Sequence, residues 1–367
     1  MFLLATTATQ THKKMAKALI NINKSFQRST SLESDYLSND VVSNFIISNL
    51  GIETLGRIVS GASSPKGNKS WSIIGPYGSG KSSFSAFLTS YLSVDDVSKA
   101  AQRKINKFWP NQAKAIQKER RSLGRGLLPV PITCERSPLN LVLLKGLRKA
   151  LEGNASTSGK KPKIFHEIDR AINEVNASHT LLDSSVISIF NSAITYLHKS
   201  KSDSQKDGIC LILDEFGKCL EWAAQSSSMN SSDNNDIYLL QKLAEAAGRT
   251  TAGKFILMTV QHQGIEEYAE SLTLKQQKEW HKISGRFEIV PYLESPQHLV
   301  HLISNAIHLT KNAPKTWLKR SGRIVSRAAK ITSQKLPVSV LQNCFPLCPS
   351  VAMMLGPLFR RDIGQNE

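Results

Sequence analysis

The stretch from Trp71 to Ser83 constrains the fold of this chain more than any other, because it joins three local patterns in one order. A short apolar run that begins at Trp71 predicts a buried strand. A glycine-rich turn follows from Gly75 to Ser82 and has the form Gly-x-x-x-x-Gly-Lys-Ser. Apolar residues at helical spacing after Ser83 predict a helix. A strand, this turn and a helix are the context that a phosphate-binding loop requires.

Each position of this loop fits the binding of a nucleoside triphosphate. Gly75, Gly78 and Gly80 are expected to give the backbone φ values that other residues avoid, so that successive N–H groups point at phosphate oxygens. The helix N-terminus near Lys81 adds the positive end of its dipole. Lys81 is expected to contact the β- and γ-phosphates, and the Ser82 hydroxyl is expected to hold Mg²⁺. The predicted ATP-binding residues are Gly75, Pro76, Tyr77, Gly78, Ser79, Gly80, Lys81, Ser82 and Ser83.

Glycines at this spacing can also occur in turns that bind no triphosphate. A turn that contains glycines by chance remains an alternative. A dinucleotide-binding Gly-x-Gly-x-x-Gly turn is excluded, because Gly78 and Gly80 are followed by Lys-Ser-Ser and by no third glycine. The sequence thus predicts ATP and Mg²⁺ as the bound cofactors.

A second motif places two carboxylates at the end of a predicted strand. Residues 209–213 form an apolar run that leads directly into Asp214 and Glu215. Ligands of open α/β sheets bind at the carboxyl ends of the strands. Asp214 is therefore expected to hold Mg²⁺, directly or through water, and Glu215 to orient and polarise the attacking water. Alone this pair is a weak signal, since any strand can end in acids, but a phosphate loop upstream strengthens it.

Two further candidates lie later in the chain. The apolar run at residues 254–260 ends in Gln261-His262-Gln263, where a polar side chain could sense the γ-phosphate or simply form a hydrogen bond at a strand end. Arg286 lies between the predicted fourth and fifth strands. It could stabilise transition-state charge on the γ-phosphate of a neighbouring subunit, or it could be an ordinary surface arginine.

The charge of the chain favours a polyanionic partner. The formal net charge is +18. Residues 99–125 contain nine Lys or Arg against the single acid Glu119, and residues 311–335 contain eight and no acid. Both stretches predict contact with nucleic acid, for which double-stranded DNA is the first candidate. A solvated face, or a surface that covers acidic parts of another chain, would carry the same charges.

Composition argues against several classes of protein. Hydrophobic residues make up 40% of the 367 residues, enough for the core of one large domain or two smaller ones. No apolar run approaches the ~18 residues of a membrane span, so we expect no membrane partner. Residues 1–10 lack the basic region of a secretory signal. Sparse cysteines fit reduced thiols in the cytoplasm, and Cys344 and Cys348 lack the further ligands of a zinc site.

These patterns predict an α/β fold of the P-loop NTPase class, a parallel sheet flanked by helices. Residues 1–69 are expected to form an N-terminal helical cap. Residues 70–295 are expected to form the nucleotide-binding core, with a basic helical insert near 97–126. Residues 296–367 are expected to form a C-terminal helical, lid-like region. Among the individual elements, we predict helices over 11–28, 41–59, 97–122 and 296–309 and a last strand over 287–293. We also predict a strand over 127–134, whose prolines indicate that it lies at an edge of the sheet or is irregular near its start.

Four motifs together resemble a known family. They are Gly75–Ser82, Leu213–Lys218 (LDEFGK), Gln261–Gln263 and Gly285–Phe287 (GRF). They look like large prokaryotic ATP-binding proteins of the AAA+/STAND type, similar in style to the ATPases encoded in phage-defence gene clusters such as the BREX type. Weaker similarity extends over residues 28–35, 268–291, 344–349 and 356–367, so that the resemblance covers most of the chain.

The resemblance implies an AAA+-like fold and an oligomer or multi-protein complex. It assigns nucleotide binding and hydrolysis to Lys81, Ser82, Asp214 and Glu215. It assigns a sensor role to His262 or Gln263 and the role of an arginine finger to Arg286. Proteins of this kind are longer than this chain, which ends at Glu367 within a predicted helix. We therefore expect the ATPase portion of a larger protein, or a naturally shortened version.

Three functions follow from these expectations. The first is an ATPase whose hydrolysis cycle drives assembly or remodelling on DNA in a defence or DNA-processing complex. The second is a nucleotide-gated binding or scaffold module in which turnover is incidental. The third, a helicase translocase, predicts further RecA-like motifs after Glu215, and the sequence contains none.

Overall fold

A computed structural model gives the structure of this chain and divides it into two compact units. Residues 30–292 form the larger unit, and residues 1–29 and 293–367 form the smaller one. Residues 30–69, expected to belong to a separate cap, thus share a unit with the predicted core. The structure describes residues 19–26, 30–93, 95–155, 162–178, 181–200, 205–229, 235–250, 253–270, 272–311, 316, 319, 322–325, 338–348 and 350–355.

A five-stranded parallel sheet forms the centre of the larger unit. The strands among the described residues are β1 (Ile20–Ile22), β2 (Ser70–Ile74), β3 (Leu128–Thr133), β4 (Gly208–Asp214), β5 (Lys254–Gln261), β6 (Glu288–Pro291) and β7 (Ile307–Leu309). The strand order of the sheet is β3-β4-β5-β2-β6, so the carboxyl ends of β2, β5 and β4 are neighbours along one edge. The α/β fold class and the parallel sheet are confirmed.

Helices cover both faces of this sheet. The described helices of the larger unit are α1 (Leu32–Asp35), α2 (Asn39–Asn44), α3 (Asn49–Ser63), α4 (Lys81–Leu92), α5 (Asp96–Phe108), α6 (Pro110–Arg120), α7 (Leu139–Asn154), α8 (Lys163–Ser178), α9 (Asp183–Lys199), α10 (Gly217–Met229), α11 (Asn235–Arg249) and α12 (Leu274–Ser284). Two buried apolar clusters, one for each face, hold the layers together. One cluster joins the sheet to α1–α6 and the other joins it to α7–α12. The smaller unit contains α13 (Pro296–Ala306) and α14 (Val338–Asn343).

The prolines of β3 have the position that the sequence predicted. Strand β3 pairs only with β4 and lies at one edge of the sheet. An edge strand tolerates Pro129 and Pro131, because one side of its backbone needs no partner in the ladder. At the opposite edge, β6 pairs with β2 and covers only four residues of the predicted strand over 287–293.

The basic insert forms two helices where the sequence predicted one. Helix α5 ends at Phe108, and α6 begins at Pro110. Proline favours the first turn of a helix but disrupts a helix interior, because it lacks the N–H group and clashes with the preceding turn. Trp109 therefore connects the two helices, and its indole donates to the backbone carbonyl of Ile47 at 3.3 Å.

In the smaller unit, strand pairing replaces two predicted helical segments. Residues 11–18, 27 and 28 of the predicted helix over 11–28 lie outside the described residues, but Ile20–Ile22 form β1. Strand β1 pairs antiparallel with β7, where the predicted helix over 296–309 was expected to continue. Helix α13 ends at Ala306 instead. Pairing between segments so distant in sequence overrides the local helical pattern.

Cys344 is buried in this unit, and its thiol lies near the carbonyl oxygens of Val300 and Val340.

Candidate functional site

The loop of residues 75–83, here called the glycine loop, follows β2 at the carboxyl edge of the sheet, and its glycines meet two different requirements. Gly78 and Gly80 have φ values of +71° and +90°, which L side chains rarely adopt. Gly75 is required for another reason. A Cβ at Gly75 would lie 2.4 Å from the carbonyl oxygen of Tyr292, which follows β6. The expectation of unusual φ values thus applies to Gly78 and Gly80, and close packing explains Gly75.

Lys81 holds a buried ammonium group within this loop. The residue is only 6% exposed. Its Nζ donates to the carbonyl oxygens of Gly75 at 2.5 Å and of Pro76 at 2.8 Å. Burial lowers the pKa of Lys81 to about 8, against the opposing effect of the nearby Asp214 carboxylate. The ammonium group therefore lies in a place where a further anion would be stabilising.

The first turn of α4 connects the loop to the carboxylate at the end of β4. The Ser82 side chain forms a hydrogen bond with Asp214, and this bond acts to lower the pKa of Asp214. Burial has the larger effect and raises that pKa overall. The Ser83 hydroxyl lies 2.7 Å from the hydroxyl of Thr30. Lys81 and Ser82 thus lie close to Asp214, which is far from them in the sequence.

Glu215 begins a sharp turn after β4. Its φ of +51° is unusual for a residue with a side chain. Its backbone N–H donates to Asp214 Oδ1 at 3.0 Å. Its carboxylate, which is partly exposed, forms an ion pair with Lys218 of α10. No role was predicted for Lys218 from the sequence, although a lysine three residues after a glutamate is a recognisable helical pair.

The three polar residues at the end of β5 have different environments. Strand β5 lies between β2 and β4, so these residues lie between the glycine loop and the carboxylates. Gln261 is fully buried, and neither its side-chain oxygen nor its nitrogen has a hydrogen-bond partner in the described part of the chain. Gln263 is exposed. His262 is partly buried, and its ring packs at a tilt of 31° against Tyr77 of the loop, with the ring centroids 3.2 Å apart.

His262 is held as a neutral imidazole. Its pKa is lowered to about 4, mainly by burial and secondly by the positive charge of Lys81. Its Nδ1 has no hydrogen-bond partner among the described residues. Of the two candidate sensors, His262 is therefore the one that contacts the loop.

Arg286 is not part of this cluster. It precedes β6, so it lies beyond the amino end of a strand whose carboxyl end approaches Gly75. Its guanidinium group forms an ion pair with Glu245 of α11 at 2.9 Å. Arg286 and the glycine loop of the same chain thus lie at opposite ends of the sheet.

Some cations of the predicted basic surface form hydrogen bonds or ion pairs within the larger unit. Lys104 donates to two backbone carbonyls of α2, at 2.8 and 2.7 Å. Arg120 donates to the carbonyl of Tyr91 at 2.8 Å. Arg125 forms an ion pair with Asp207 at 2.8 Å. These three cations hold the insert against the rest of the larger unit and are less available to a partner.

The remaining cations of the insert are exposed and form a row on each helix. On α5 they follow one another at a spacing of four residues, and those in and after α6 have nearly the same spacing, so each row faces one side of its helix. Most of the second basic stretch, residues 311–335, lies outside the described residues. The exposed cations of the insert are Lys99, Arg103, Lys107, Lys114, Lys118 and Arg121.

Membrane-spanning helices and clustered metal ligands are both missing from the described parts of the chain. No helix there is long and apolar enough to cross a membrane. The same residues contain no cluster of three or more His, Cys, Asp or Glu side chains that could hold a metal ion by itself. A cation at Ser82 and Asp214 would need further ligands, such as phosphate oxygens and water.

The state of His262 predicts how stability depends on pH. Between pH 6.5 and pH 4 the imidazole of His262 is protonated in the unfolded chain but not in the folded chain, so the free energy of unfolding falls as the pH falls. Between pH 7 and pH 4.5 we expect the free energy of unfolding to fall by about 1–2 kcal/mol less in His262→Gln than in the wild type, after allowance for solvent screening. Urea unfolding at several pH values measures this difference. His166→Gln, which removes an exposed imidazole from α8, is the control, and identical pH profiles for wild type and His262→Gln would contradict the assignment.

The sequence matches no protein family, and no curated protein is significantly similar to it. The function of the site must therefore be inferred from its own residues and their geometry.

Proposed function

We propose that this chain binds ATP with Mg²⁺ at the loop of residues 75–83 and hydrolyses it, as a P-loop NTPase of the AAA+ type. The observation that carries this proposal is the buried ammonium group of Lys81, which lies between two loop carbonyls and near Asp214. A buried cation without a full counter-charge favours an anionic ligand. The β- and γ-phosphates would supply that charge, and the N–H groups of the loop and of the first turn of α4 would bind the same oxygens.

The residues next to Lys81 fit a magnesium ion. Ser82 and Asp214 offer a hydroxyl and a carboxylate, and Mg²⁺ prefers such oxygen ligands together with water and phosphate. Their mutual hydrogen bond brings the two groups to one point. When bound, Mg²⁺ neutralises charge on the phosphate oxygens.

Hydrolysis would use the residues at the neighbouring strand ends. Glu215 would accept a proton from the attacking water and orient it. His262, as a neutral imidazole next to the loop, would form a hydrogen bond with the γ-phosphate and so sense its presence. Arg286 lies at the far end of the sheet and would act on the nucleotide of a second copy, so we propose a homo-oligomer or a larger complex.

We further propose that hydrolysis drives assembly or remodelling of a complex on double-stranded DNA. The two cation rows of α5 and α6 support this proposal, since helical rows of exposed Lys and Arg bind phosphate backbones. The second basic stretch, residues 311–335, is also proposed to contact DNA, because it contains eight Lys or Arg and no acid. An anti-phage defence complex in the cytoplasm is the setting that the family resemblance implies.

A nucleotide-gated scaffold is the second candidate, and two ion pairs favour it. Glu215 is paired with Lys218, and Arg286 is paired with Glu245, so both predicted catalytic groups are engaged elsewhere in the free chain. A chain of this kind would bind ATP and assemble with little turnover. The effect of Glu215→Gln on DNA-linked function separates the two candidates, because a scaffold keeps that function without hydrolysis.

Two substitutions test the nucleotide site. Lys81→Ala is expected to weaken ATP binding by about 100-fold, because it removes the cation that faces the phosphates. Glu215→Gln is expected to keep ATP binding within a few fold while the hydrolysis rate falls by about 10²–10⁴-fold. Binding by calorimetry and phosphate release measure the two effects. Lys282→Ala, which removes an exposed lysine of α12, is the control. Unchanged ATP binding by Lys81→Ala would contradict the proposal.

A matched pair of triple variants tests the DNA surface. Replacing Lys114, Lys118 and Arg121 by Ala is expected to weaken binding to double-stranded DNA and to reduce the slope of log K against log salt by roughly 2–3. Fluorescence anisotropy at several salt concentrations measures both quantities. The control removes the same charge from α12 by replacing the exposed residues Lys275, Lys278 and Lys282 by Ala. Equal losses in the two triple variants, or no DNA binding at low salt, would contradict a specific role of α6.

A further inference from the structure

Lys218 is a second lysine at the edge of the candidate nucleotide site. It lies in the first turn of α10, and its ammonium group pairs with the carboxylate of Glu215. The backbone N–H of Lys218 also donates to the carbonyl of Glu215 at 3.1 Å. Both side chains are partly exposed, with 48% of Lys218 and 40% of Glu215 accessible. The pair is therefore held by a local turn, and solvent or a ligand can reach it.

The turn that carries this pair is fixed by packing. A Cβ at Gly217 would lie 2.2 Å from the hydroxyl of Tyr268, so the start of α10 approaches that ring as closely as a glycine allows. Glu215 at the other side of the turn has a left-handed φ of +51°. Strained backbone of this kind persists only where the surrounding structure holds it, and it clusters at functional sites. The lysine and the carboxylate are thus held next to the carboxyl end of β4, which ends at Asp214.

Lys218 also lies near the imidazole that contacts the loop. Lys81 and Lys218 are both close enough to His262 to lower its pKa by their positive charge, whereas Glu215 acts to raise it. The ring of Tyr77 in the loop packs against the same imidazole, with the ring centroids 3.2 Å apart. Lys218 therefore lies near the loop that is proposed to bind the triphosphate.

We propose that Lys218 is a γ-phosphate ligand that exchanges partners when ATP binds. In the free chain it neutralises Glu215, and a carboxylate paired with an ammonium group is a weak base. With ATP bound, the γ-phosphate carries more negative charge than one carboxylate and attracts Lys218 away from Glu215. The exchange frees Glu215 to accept a proton from water only when a γ-phosphate is present. This inference rests on the proposed function and adds to it a residue that distinguishes ATP from ADP.

The affinity ratio between ATP and ADP tests this exchange. Lys218→Ala is expected to weaken the binding of Mg²⁺–ATP by about tenfold and to leave that of Mg²⁺–ADP within about twofold, because ADP has no γ-phosphate. Lys218→Arg is expected to recover most of the ATP affinity. Lys242→Ala is the matched control, since Lys242 is an equally exposed lysine of α11 that pairs with Asp183 at 2.9 Å. Calorimetry with ATPγS and ADP on the full chain measures both affinities for the wild type and for the three variants.

Two results would overturn the exchange while leaving ATP binding in place. One is an unchanged ratio of ATP to ADP affinity in Lys218→Ala, with both affinities as in the wild type. The other is an equal loss of both affinities, which would mean that Lys218 only supports the turn before α10. Absence of ATP binding by the wild type would overturn the proposed function and this inference with it.

Discussion

The buried ammonium group of Lys81 is the interaction on which the rest of the candidate site depends. Burying a charge is costly, and two backbone carbonyls with one neighbouring carboxylate offset that cost only in part. The pKa of Lys81 is lowered because the part of this cost that is not offset disfavours the charged form. The loop can keep the group in this place because Gly75 packs directly against the carbonyl of Tyr292 and Gly78 and Gly80 take left-handed conformations.

The order of the strands explains which residues can act together. Strand β5 separates β2 from β4, so His262 lies between the loop of residues 75–83 and the carboxylates of Asp214 and Glu215. Arg286 precedes β6 and lies at the opposite end of the sheet. The same parallel topology thus brings Lys81, Asp214 and His262 together and separates Arg286 from them. Under the proposed function, Arg286 could act only on the nucleotide of a second copy.

Much of this arrangement could be predicted from local sequence patterns. A glycine loop, an apolar run before acids, and a second such run before His262 each depend on a few consecutive residues, and all three lie at the predicted strand ends. The break at Trp109 could also have been predicted from Pro110, although a single helix was expected there. Three other features depend on contacts between segments that are distant in sequence, so local patterns could not predict them. They are the pairing of β1 with β7, the hydrogen bonds of Lys104 to α2, and the ion pair between Arg286 and Glu245.

The most direct measurement is a crystal or cryo-EM structure of the chain with Mg²⁺ and a non-hydrolysable ATP analogue. The β- and γ-phosphates should lie in the loop of residues 75–83, with Mg²⁺ at Ser82 and Asp214. Lys81 Nζ should have left the carbonyl oxygens of Gly75 and Pro76 for phosphate oxygens. A nucleotide bound elsewhere, with Lys81 still on those two carbonyls at saturating analogue, would contradict the assignment of the loop as a triphosphate site.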